Sequence, residues 1–226
     1  MATPLNSIVP FGRTLDEYKS FFKLSESDLA KRILGAGDGP ASFNAELSAR
    51  GGEVVSFDPL YEFSAADIQR RFDEVVIDII AKIKATPNDW VWSYQGSPEE
   101  LQARRSEAMR LFAADFEAGK AAGRYIAASM PKLPFPDGSF DLALCSHLLF
   151  LYSEQLDLAF HLAALRELLR VAKEVRVFPL KTLMLEDSWH VKPAMETLQD
   201  EGFAVSLEKV PYEFQKGADS MLRLRR

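Results

Sequence analysis

The chain has 226 residues, of which 47% are hydrophobic and 27% are charged. This composition is typical of a globular protein with one full-sized core, and it predicts a single domain over residues 1–226. The formal net charge of -6 argues against a nucleic-acid-binding surface, which usually needs a basic face.

The cysteine count and the N-terminal sequence restrict the cellular setting. The single cysteine, Cys145, excludes a disulfide within the chain and argues against a cysteine-based zinc site. The N-terminal residues lack a basic segment followed by an apolar one, so no signal peptide is predicted. No apolar run approaches the ~18 residues of a membrane span. We therefore expect a cytoplasmic protein that does not act on membranes.

The first part of the chain predicts a strand–loop–helix–strand unit. An amphipathic helix over 14–24 precedes it, with Thr14 and Glu17 placed as a capping box. A buried strand is predicted over 30–36, a helix over 40–52 with Pro40 in its first turn, and a second strand over 53–58. The size of this unit is that of a βαβ crossover.

Residues 59–123 interrupt the alternation and are interpreted as a helical insertion within the one domain. Apolar residues at helical spacing predict a helix over 64–87, and Ser97 begins a second helix over 97–123. The aromatic connector "NDWVWSYQG" joins them. Long insertions are often functional, so Trp90 and Trp92 form either a wall or lid of a substrate site or an anchor for the two helices. The anchor is slightly favoured, because aromatic side chains bury large areas.

Strands and helices alternate again after the insertion. Strands are predicted over 124–129, 139–150 and 174–180, helices over 153–172 and 188–202, and a closing antiparallel pair over 203–214 and 220–226. This order predicts an α/β three-layer sandwich. Its mostly parallel, seven-stranded, Rossmann-like sheet would have an antiparallel C-terminal strand and the helical insertion after the second strand.

The stretch "RILGAGDGPASFNAEL" contains Gly35, Gly37 and Gly39 directly after the first predicted strand. In the dinucleotide fingerprint the third glycine comes five residues after the first, whereas here it comes after four and Pro40 takes the fifth place. There is no Gly-Lys-Ser/Thr, which excludes a phosphate-binding P-loop. The loop still allows close backbone approach to a ligand, or it is only a tight turn.

Asp58 ends the second predicted strand in "VVSFDPLY", 19 residues after Gly39. A carboxylate there has two oxygens with which to accept both hydroxyls of a ribose. The alternative is that Asp58 only caps the turn at Pro59. The glycine loop and the strand-end acid together favour a nucleoside-binding site.

These motifs resemble those of the class I S-adenosylmethionine-dependent methyltransferases. "ILGAGDGPASF" looks like the first motif of that family, "VVSFDPLY" like its second, and "AASMPKLPFPDGSFDLALCSHLLF" like the adenine-binding turn and the fourth strand. The resemblance covers about residues 30–180. The region after the fourth strand further resembles a bacterial subgroup whose substrate is not identified.

The resemblance implies S-adenosylmethionine as the cofactor and assigns its contacts residue by residue. The glycines and Asp38 would lie near the methionine part, Asp58 would bind the ribose hydroxyls and Leu60 would pack on the adenine. Ser129 stands where the family often has an acid that binds the adenine amino group, which leaves that contact open. Arg13 either pairs with the cofactor carboxylate or is a solvated arginine. The full predicted cofactor set is Arg13, Gly35, Ala36, Gly37, Asp38, Gly39, Asp58, Pro59, Leu60, Ser129, Met130 and Ser146.

Methyl transfer from a sulfonium needs alignment and exclusion of water more than acid–base groups. A general base helps when the acceptor starts protonated, and His147, just beyond the fourth strand, is the candidate. It acts either as that base or only as a hydrogen-bonding partner of a nearby loop. Tyr152, Trp90 and Trp92 are the candidate substrate-binding residues. No His and carboxylate triplet has metal-ligand spacing, so no metal is predicted.

The acceptor is expected to be a small molecule. Enzymes of the resembling superfamily that methylate base amines carry an Asp/Asn/Ser-Pro-Pro-aromatic motif where this chain has "CSHL". With the acidic charge, this difference favours a small-molecule or protein acceptor over DNA or RNA. Two alternatives remain: a non-catalytic module that binds S-adenosylmethionine or S-adenosylhomocysteine, and an NAD(P)-dependent oxidoreductase, against which the glycine spacing argues. The oligomeric state is left open.

Overall fold

The computed structural model describes residues 9–226 as a seven-stranded sheet covered by helices on both faces. The strands are Arg32–Ala36 (β1), Glu53–Phe57 (β2), Tyr125–Ile126 (β3), Phe140–Ser146 (β4), Ala172–Phe178 (β5), Ala204–Lys209 (β6) and Ser220–Arg225 (β7). Their order across the sheet is β3-β2-β1-β4-β5-β7-β6. The first five strands run parallel, and β7 is antiparallel to both neighbours. The predicted fold class is confirmed.

The helices are Leu15–Phe21 (α1), Glu26–Leu29 (α2), Phe43–Ala49 (α3), Ala65–Ala85 (α4), Pro98–Ala121 (α5), Leu158–Val171 (α6) and Val191–Asp200 (α7). No helix in residues 9–226 is long and apolar enough to cross a membrane. The prediction that no signal peptide is present rests in part on residues 1–8, which lie outside the described residues.

Local sequence signals explain most helix boundaries. Thr14 and Glu17 form the predicted capping box at the start of α1. The Ser64 side chain caps α4 by accepting from the amide of Asp67, and α4 ends at Ala85, two residues before Pro87. Ser97 caps α5 in the same way, through the amide of Glu100.

Several boundaries differ from the prediction, among them the following three. Pro40 lies in the loop before α3, which begins only at Phe43. The edge strand β3 is only two residues long, against the six predicted over 124–129. Helix α6 begins at Leu158 rather than near residue 153, because Asp157 caps it while Ser153 is bonded elsewhere, to the carbonyl of Phe150 and the hydroxyl of Ser188.

The sheet separates two apolar clusters, as alternation along buried strands requires. On β4, Leu142 and Leu144 face α1 and α3, whereas Ala143 and Cys145 face α6 and α7. A third cluster joins α4 and α5 to β3 and to the turn after β2. The insertion therefore packs against the sheet edge next to β2, close to where Asp58 ends that strand.

Candidate functional site

A cavity of about 610 Å³ opens at the carboxyl ends of β1, β2 and β4. This is the position where parallel α/β sheets bind ligands, at the point where strand order reverses. Most of the predicted site residues meet there: Arg13, Gly37, Asp38, Gly39, Asp58, Pro59, Leu60, Ser129, Met130, Ser146, His147 and Tyr152 all line it. Four predicted residues do not, namely Gly35, Ala36, Trp90 and Trp92.

The glycine loop follows β1 and needs its glycines for two different reasons. Gly37 and Gly39 have φ angles of 66° and 53°, in the left-handed region that favours glycine. At Gly37 a Cβ atom would also lie only 2.4 Å from Cδ2 of Leu148. At Gly35, inside β1, a Cβ would lie 1.8 Å from the Asp38 carboxylate, so its role is to make room for that side chain.

Asp58 joins the glycine loop to the end of β2. Its Oδ2 accepts from the amide of Gly39 at 2.9 Å, and its Oδ1 accepts from the amide of Leu60 at 2.8 Å. Burial raises the pKa of Asp58, and these two backbone hydrogen bonds oppose the rise. Asp58 therefore caps the turn that follows β2. Each of its oxygens still keeps a lone pair for a ligand, because a carboxylate oxygen accepts two hydrogen bonds.

Asp38 turns back from the loop and is buried beneath it. Its Oδ1 accepts from the Tyr18 hydroxyl at 2.6 Å, and its Oδ2 accepts from the Ser56 hydroxyl at 2.6 Å. Burial raises the pKa of Asp38 to about 7; these hydrogen bonds oppose the rise, and the nearby Asp58 charge adds to it. Asp38 thus changes protonation state near neutral pH.

His147 follows β4 with a φ of 54°, and its amide donates to the carbonyl of Phe178 at 2.7 Å. The residue lines the cavity. Its Nδ1 lies 2.8 Å from the hydroxyl of Ser146. Burial, with the charges of Arg13 and Arg105, holds the pKa of His147 well below its ordinary 6.5. The ring is therefore neutral at pH 7, the form in which one of its nitrogens can accept a proton.

Arg13 lies at the cavity on the segment before α1. It donates to the carbonyls of Phe11 and Gly12, and its buried Nε has no hydrogen-bond partner among the described residues. Burial, with the neighbouring Arg105 charge, lowers the pKa of Arg13 to about 10. Such a guanidinium is a receptor for an anionic group of a ligand.

The remaining walls are mostly apolar. Leu60 and Met130 are buried, and Ser129 is exposed at the rim. The cavity is also lined by residues that the sequence did not single out: Val9, Pro10, Phe11, Tyr18, Phe57, Leu148, Leu151, Leu156, Phe160 and Leu183. Tyr18 is the polar one among them. Its spacing on α1 is that of a core residue, so no sequence signal marked it as a site residue.

Trp90 and Trp92 lie away from the cavity. Their rings pack on Phe214, with centroid distances of 4.7 Å and 5.3 Å, and belong to the apolar cluster of α4 and α5. In this structure they form no wall of the site. Their packing is the one expected if they anchor the two helices of the insertion.

Comparisons with known proteins agree with this geometry. Residues 97–175 match a family model described as a methyltransferase domain. The chain is 29% identical over 223 residues to MJ0045, an uncharacterized protein of the archaeon Methanocaldococcus jannaschii, and the match covers 98% of each chain. Magnesium protoporphyrin IX methyltransferase from Synechocystis, solved with bound SAH, has 16% identity and a TM-score of 0.50; the match covers 94% of this chain and 81% of that one.

The chain therefore has the class I methyltransferase fold, and it has a methyltransferase-domain match over about a third of its length. Both findings support the resemblance drawn from the glycine loop and the strand-end acid.

Proposed function

We propose that this protein binds S-adenosylmethionine in the cavity and transfers its methyl group to a small-molecule acceptor. The observation that carries the proposal is the placement of Asp58. Its carboxylate lies at the end of β2, is held by the amide of Gly39 from the glycine loop, and faces the cavity. This is where a nucleoside with an amino-acid tail requires an acceptor for its ribose hydroxyls.

The residues present fit the cofactor. Asp58 keeps free lone pairs for the two ribose hydroxyls, and Leu60 beside it offers an apolar surface to an adenine ring. Arg13 lines the same cavity, and its buried Nε has no hydrogen-bond partner among the described residues, which suits a carboxylate. The glycine loop also lines the cavity, and a Cβ at Gly37 would collide there with Leu148. The ribose, the adenine and the carboxylate thus each have a residue of matching chemistry.

The cofactor supplies a methyl group on a positively charged sulfur that departs as a neutral thioether. The task left to the chain is to align the acceptor, exclude water and remove a proton where one is released. Leu148, Leu151 and Tyr152 form an apolar wall next to His147. The neutral His147 is able to take the proton of an acceptor bound against that wall.

Calorimetric titration of S-adenosylmethionine into wild type and Asp58→Asn tests the proposal. Loss of a charged acceptor for two hydroxyls costs about 1.5–3 kcal/mol of binding free energy. We therefore expect the dissociation constant of the variant to be at least tenfold higher than that of wild type. Asp78→Asn, an exposed acid on α4, is the matched control and should bind like wild type. Thermal unfolding of Asp58→Asn checks that its turn is intact.

Equal affinity in wild type and Asp58→Asn, or no binding to wild type, would remove the proposed cofactor site. A change in NADH fluorescence on adding the protein would instead favour the oxidoreductase alternative. Cofactor binding without methyl transfer to any compound of a cell extract, followed with a radiolabelled methyl group, would favour the non-catalytic module.

A further inference from the structure

The side of the cavity that follows β4 is almost entirely apolar. Its lining residues come from the loop after β4, the first turn of α6 and the loop after β5. We call this set the acceptor wall, and it consists of His147, Tyr152 and five apolar residues, namely Leu148, Leu151, Leu156, Phe160 and Leu183. A Cβ on Gly37 would lie 2.4 Å from Cδ2 of Leu148, so the wall begins directly beside the glycine loop.

Hydrogen bonds join the two loops of the acceptor wall. The amide of Leu183 donates to the carbonyl of Leu151 at 3.0 Å. The hydroxyl of Ser153 lies 2.7 Å from that of Ser188, which makes a second link between the same two loops. The wall is therefore preformed, and its shape and charge select among ligands.

No charged side chain belongs to the acceptor wall. Among the described residues that line the cavity, the charged ones are Arg13, Asp38 and Asp58. Asp58 and Arg13 are the residues proposed above for the ribose hydroxyls and the carboxylate of the cofactor. Asp38 accepts from the hydroxyls of Tyr18 and Ser56, each at 2.6 Å. An ionised acceptor would lose its hydration at the wall without gaining an opposite charge, which is costly.

Two polar groups of the acceptor wall lack a partner among the described residues. Nδ1 of His147 lies 2.8 Å from the hydroxyl of Ser146, whereas its Nε2 makes no hydrogen bond within residues 9–226. The Tyr152 hydroxyl makes none in that part of the chain either. A ligand hydroxyl donates to an imidazole nitrogen and accepts from a phenol, so it matches both groups. The wall therefore fits an apolar molecule that carries a hydroxyl group.

The side chains of the wall favour an aromatic ring in that molecule. Tyr152 and Phe160 are both half-buried, and aromatic rings stack favourably on one another. Leu183 is 49% exposed, so apolar surface at this side of the cavity is in contact with solvent. Exposed apolar surface that lines a cavity is typical of a site for an apolar ligand.

The base properties of His147 favour a phenolic hydroxyl over an aliphatic one. Burial, with the charges of Arg13 and Arg105, holds the pKa of His147 well below its ordinary value, which makes it a weak base. The pKa of a phenol is about 10, as in tyrosine. A weak base removes such a proton far more readily than the proton of an aliphatic alcohol.

We propose that the methyl acceptor is an uncharged aromatic compound with a phenolic hydroxyl, which binds against the acceptor wall with its hydroxyl at His147. This inference rests on the proposed methyl transfer and narrows its acceptor. His147 is the catalytic residue in it, because it contacts the reacting hydroxyl. Phe160 and Leu183 determine specificity, because they give the wall its apolar and uncharged character.

The transfer step balances in atoms and charge. The phenol O–H bond and the methyl–sulfur bond break, an oxygen–carbon bond forms, and the electron pair of the methyl–sulfur bond stays on sulfur. The phenol proton binds Nε2 of His147, so the positive charge of the sulfonium becomes that of an imidazolium. Because the pKa of His147 is low, the ring then releases the proton to water.

The test compares three phenols that differ in the charge of one tetrahedral group. They are para-tert-butylphenol, which is uncharged, para-hydroxybenzenesulfonate, which is anionic, and para-hydroxyphenyltrimethylammonium, which is cationic. Calorimetric titration into the full-length protein with saturating S-adenosylhomocysteine measures their dissociation constants. We expect the two charged compounds to bind at least about tenfold more weakly than para-tert-butylphenol.

Methyl transfer to these compounds is followed with radiolabelled S-adenosylmethionine, and mass spectrometry identifies the product. The methyl ether of para-tert-butylphenol is the expected product. The saturated analogue tert-butylcyclohexanol carries an aliphatic hydroxyl, so it should receive no methyl group.

Leu183→Lys adds a cation to the acceptor wall at a position that is exposed enough to tolerate it. This variant should bind para-hydroxybenzenesulfonate at least about tenfold more tightly than wild type does, and para-tert-butylphenol more weakly. Leu207→Lys is the matched control, because Leu207 is 51% exposed on β6 and does not line the cavity. It should bind all three phenols like wild type. Thermal unfolding checks the fold of both variants.

Charged phenols that bind as tightly as para-tert-butylphenol, or an unchanged preference in Leu183→Lys, would overturn the inference. Methyl transfer to tert-butylcyclohexanol at the rate of the phenol, or to compounds of a cell extract but to none of the phenols, would also overturn it. Each of these outcomes, with S-adenosylmethionine bound, leaves the proposed function standing. Absence of S-adenosylmethionine binding would instead refute the proposed function, however the phenols bind.

Discussion

The buried ion pair between Glu17 and Arg105 should contribute several kcal/mol to folding. Glu17 on α1 is 0% exposed and Arg105 on α5 is 1% exposed. Two hydrogen bonds of 2.6 Å and 2.5 Å join the guanidinium to the carboxylate. Gln95 donates to the same carboxylate at 2.8 Å and Thr14 donates its amide at 2.9 Å. The pair ties the helix beside the cavity to the helical insertion.

The pKa of Glu17 gives the magnitude. Burial raises this pKa, but the charge and hydrogen bonds of Arg105, with Arg13 and the amide of Thr14, lower it from 4.5 to about 2. A fall of that size corresponds to about 3 kcal/mol of stability. Because the folded pKa is depressed, this contribution is present above about pH 4.5 and is lost as the pH falls toward 2.

Arg105→Met leaves the carboxylate buried without its main cation, which costs about 3–5 kcal/mol at pH 7. The deficit relative to wild type should become smaller at pH 4, because the carboxyl of the variant then takes up a proton and avoids the buried charge. The double variant Glu17→Gln/Arg105→Met should lose less stability than the sum of its single variants, because neither charge is left alone.

Urea unfolding at pH 7 and pH 4, followed by far-ultraviolet circular dichroism, measures these free energies. Arg110→Met is the control on the same helix, since its ion pair with Glu107 has bonds of 2.7 Å and 2.6 Å but is exposed. Its unfolding midpoint should equal that of wild type. A loss under about 1 kcal/mol in Arg105→Met, or the same loss at both pH values, would refute the reasoning.

Three further outcomes are expected. Gly37→Ala should destabilise the protein by more than ~1 kcal/mol in thermal unfolding and weaken S-adenosylmethionine binding, because the added Cβ collides with Leu148. Gly51 also has a positive φ, but no atom lies near its added Cβ. Gly51→Ala should therefore cost only about 1 kcal/mol and leave binding unchanged. Trp90→Leu should lower the free energy of unfolding by about 1–3 kcal/mol and leave the dissociation constant for S-adenosylmethionine unchanged. A higher dissociation constant in this variant would favour the interpretation as a lid. Burial depresses the pKa of His161, whose Nε2 accepts the backbone amide of Phe150 at 3.0 Å. The free energy of unfolding should therefore fall as the pH falls below about 6.5, because the unfolded chain then binds the proton more readily. Urea unfolding should show a smaller fall in His161→Gln.

The sequence predicted the long helices and the alternation of strands and helices well, because both depend on signals that are local in the chain. Helix α4 has strong apolar periodicity, a serine cap and a terminating proline, and its bounds agree with the prediction to within two residues. The start of α6 was missed by five residues because two capping residues compete there. Only the tertiary contact of Ser153 with Ser188, 35 residues away, decides in favour of Asp157.

The same distinction applies to the cavity. The glycine loop and Asp58 were predicted because both can be recognised from residue types at a known spacing in the sequence. Tyr18 was not, because its position on an amphipathic helix is equally that of a core residue, and it is in fact 1% exposed. Its hydrogen bond to Asp38 joins α1 to a residue twenty positions further on, a contact that no pattern in the sequence specifies.

Asp38 and Asp58 are two buried carboxylates of one cavity, and the partners that fold around them differ. Asp58 accepts from two backbone amides, and each of its oxygens keeps a lone pair for a ligand hydroxyl. Asp38 uses its two oxygens to accept from the hydroxyls of Tyr18 and Ser56, each at 2.6 Å. Burial raises the pKa of both carboxyls, and the charge of Asp58 raises that of Asp38 further. Substitution of Asp58 should therefore alter cofactor affinity and, because it removes the nearby negative charge, lessen the rise in the pKa of Asp38.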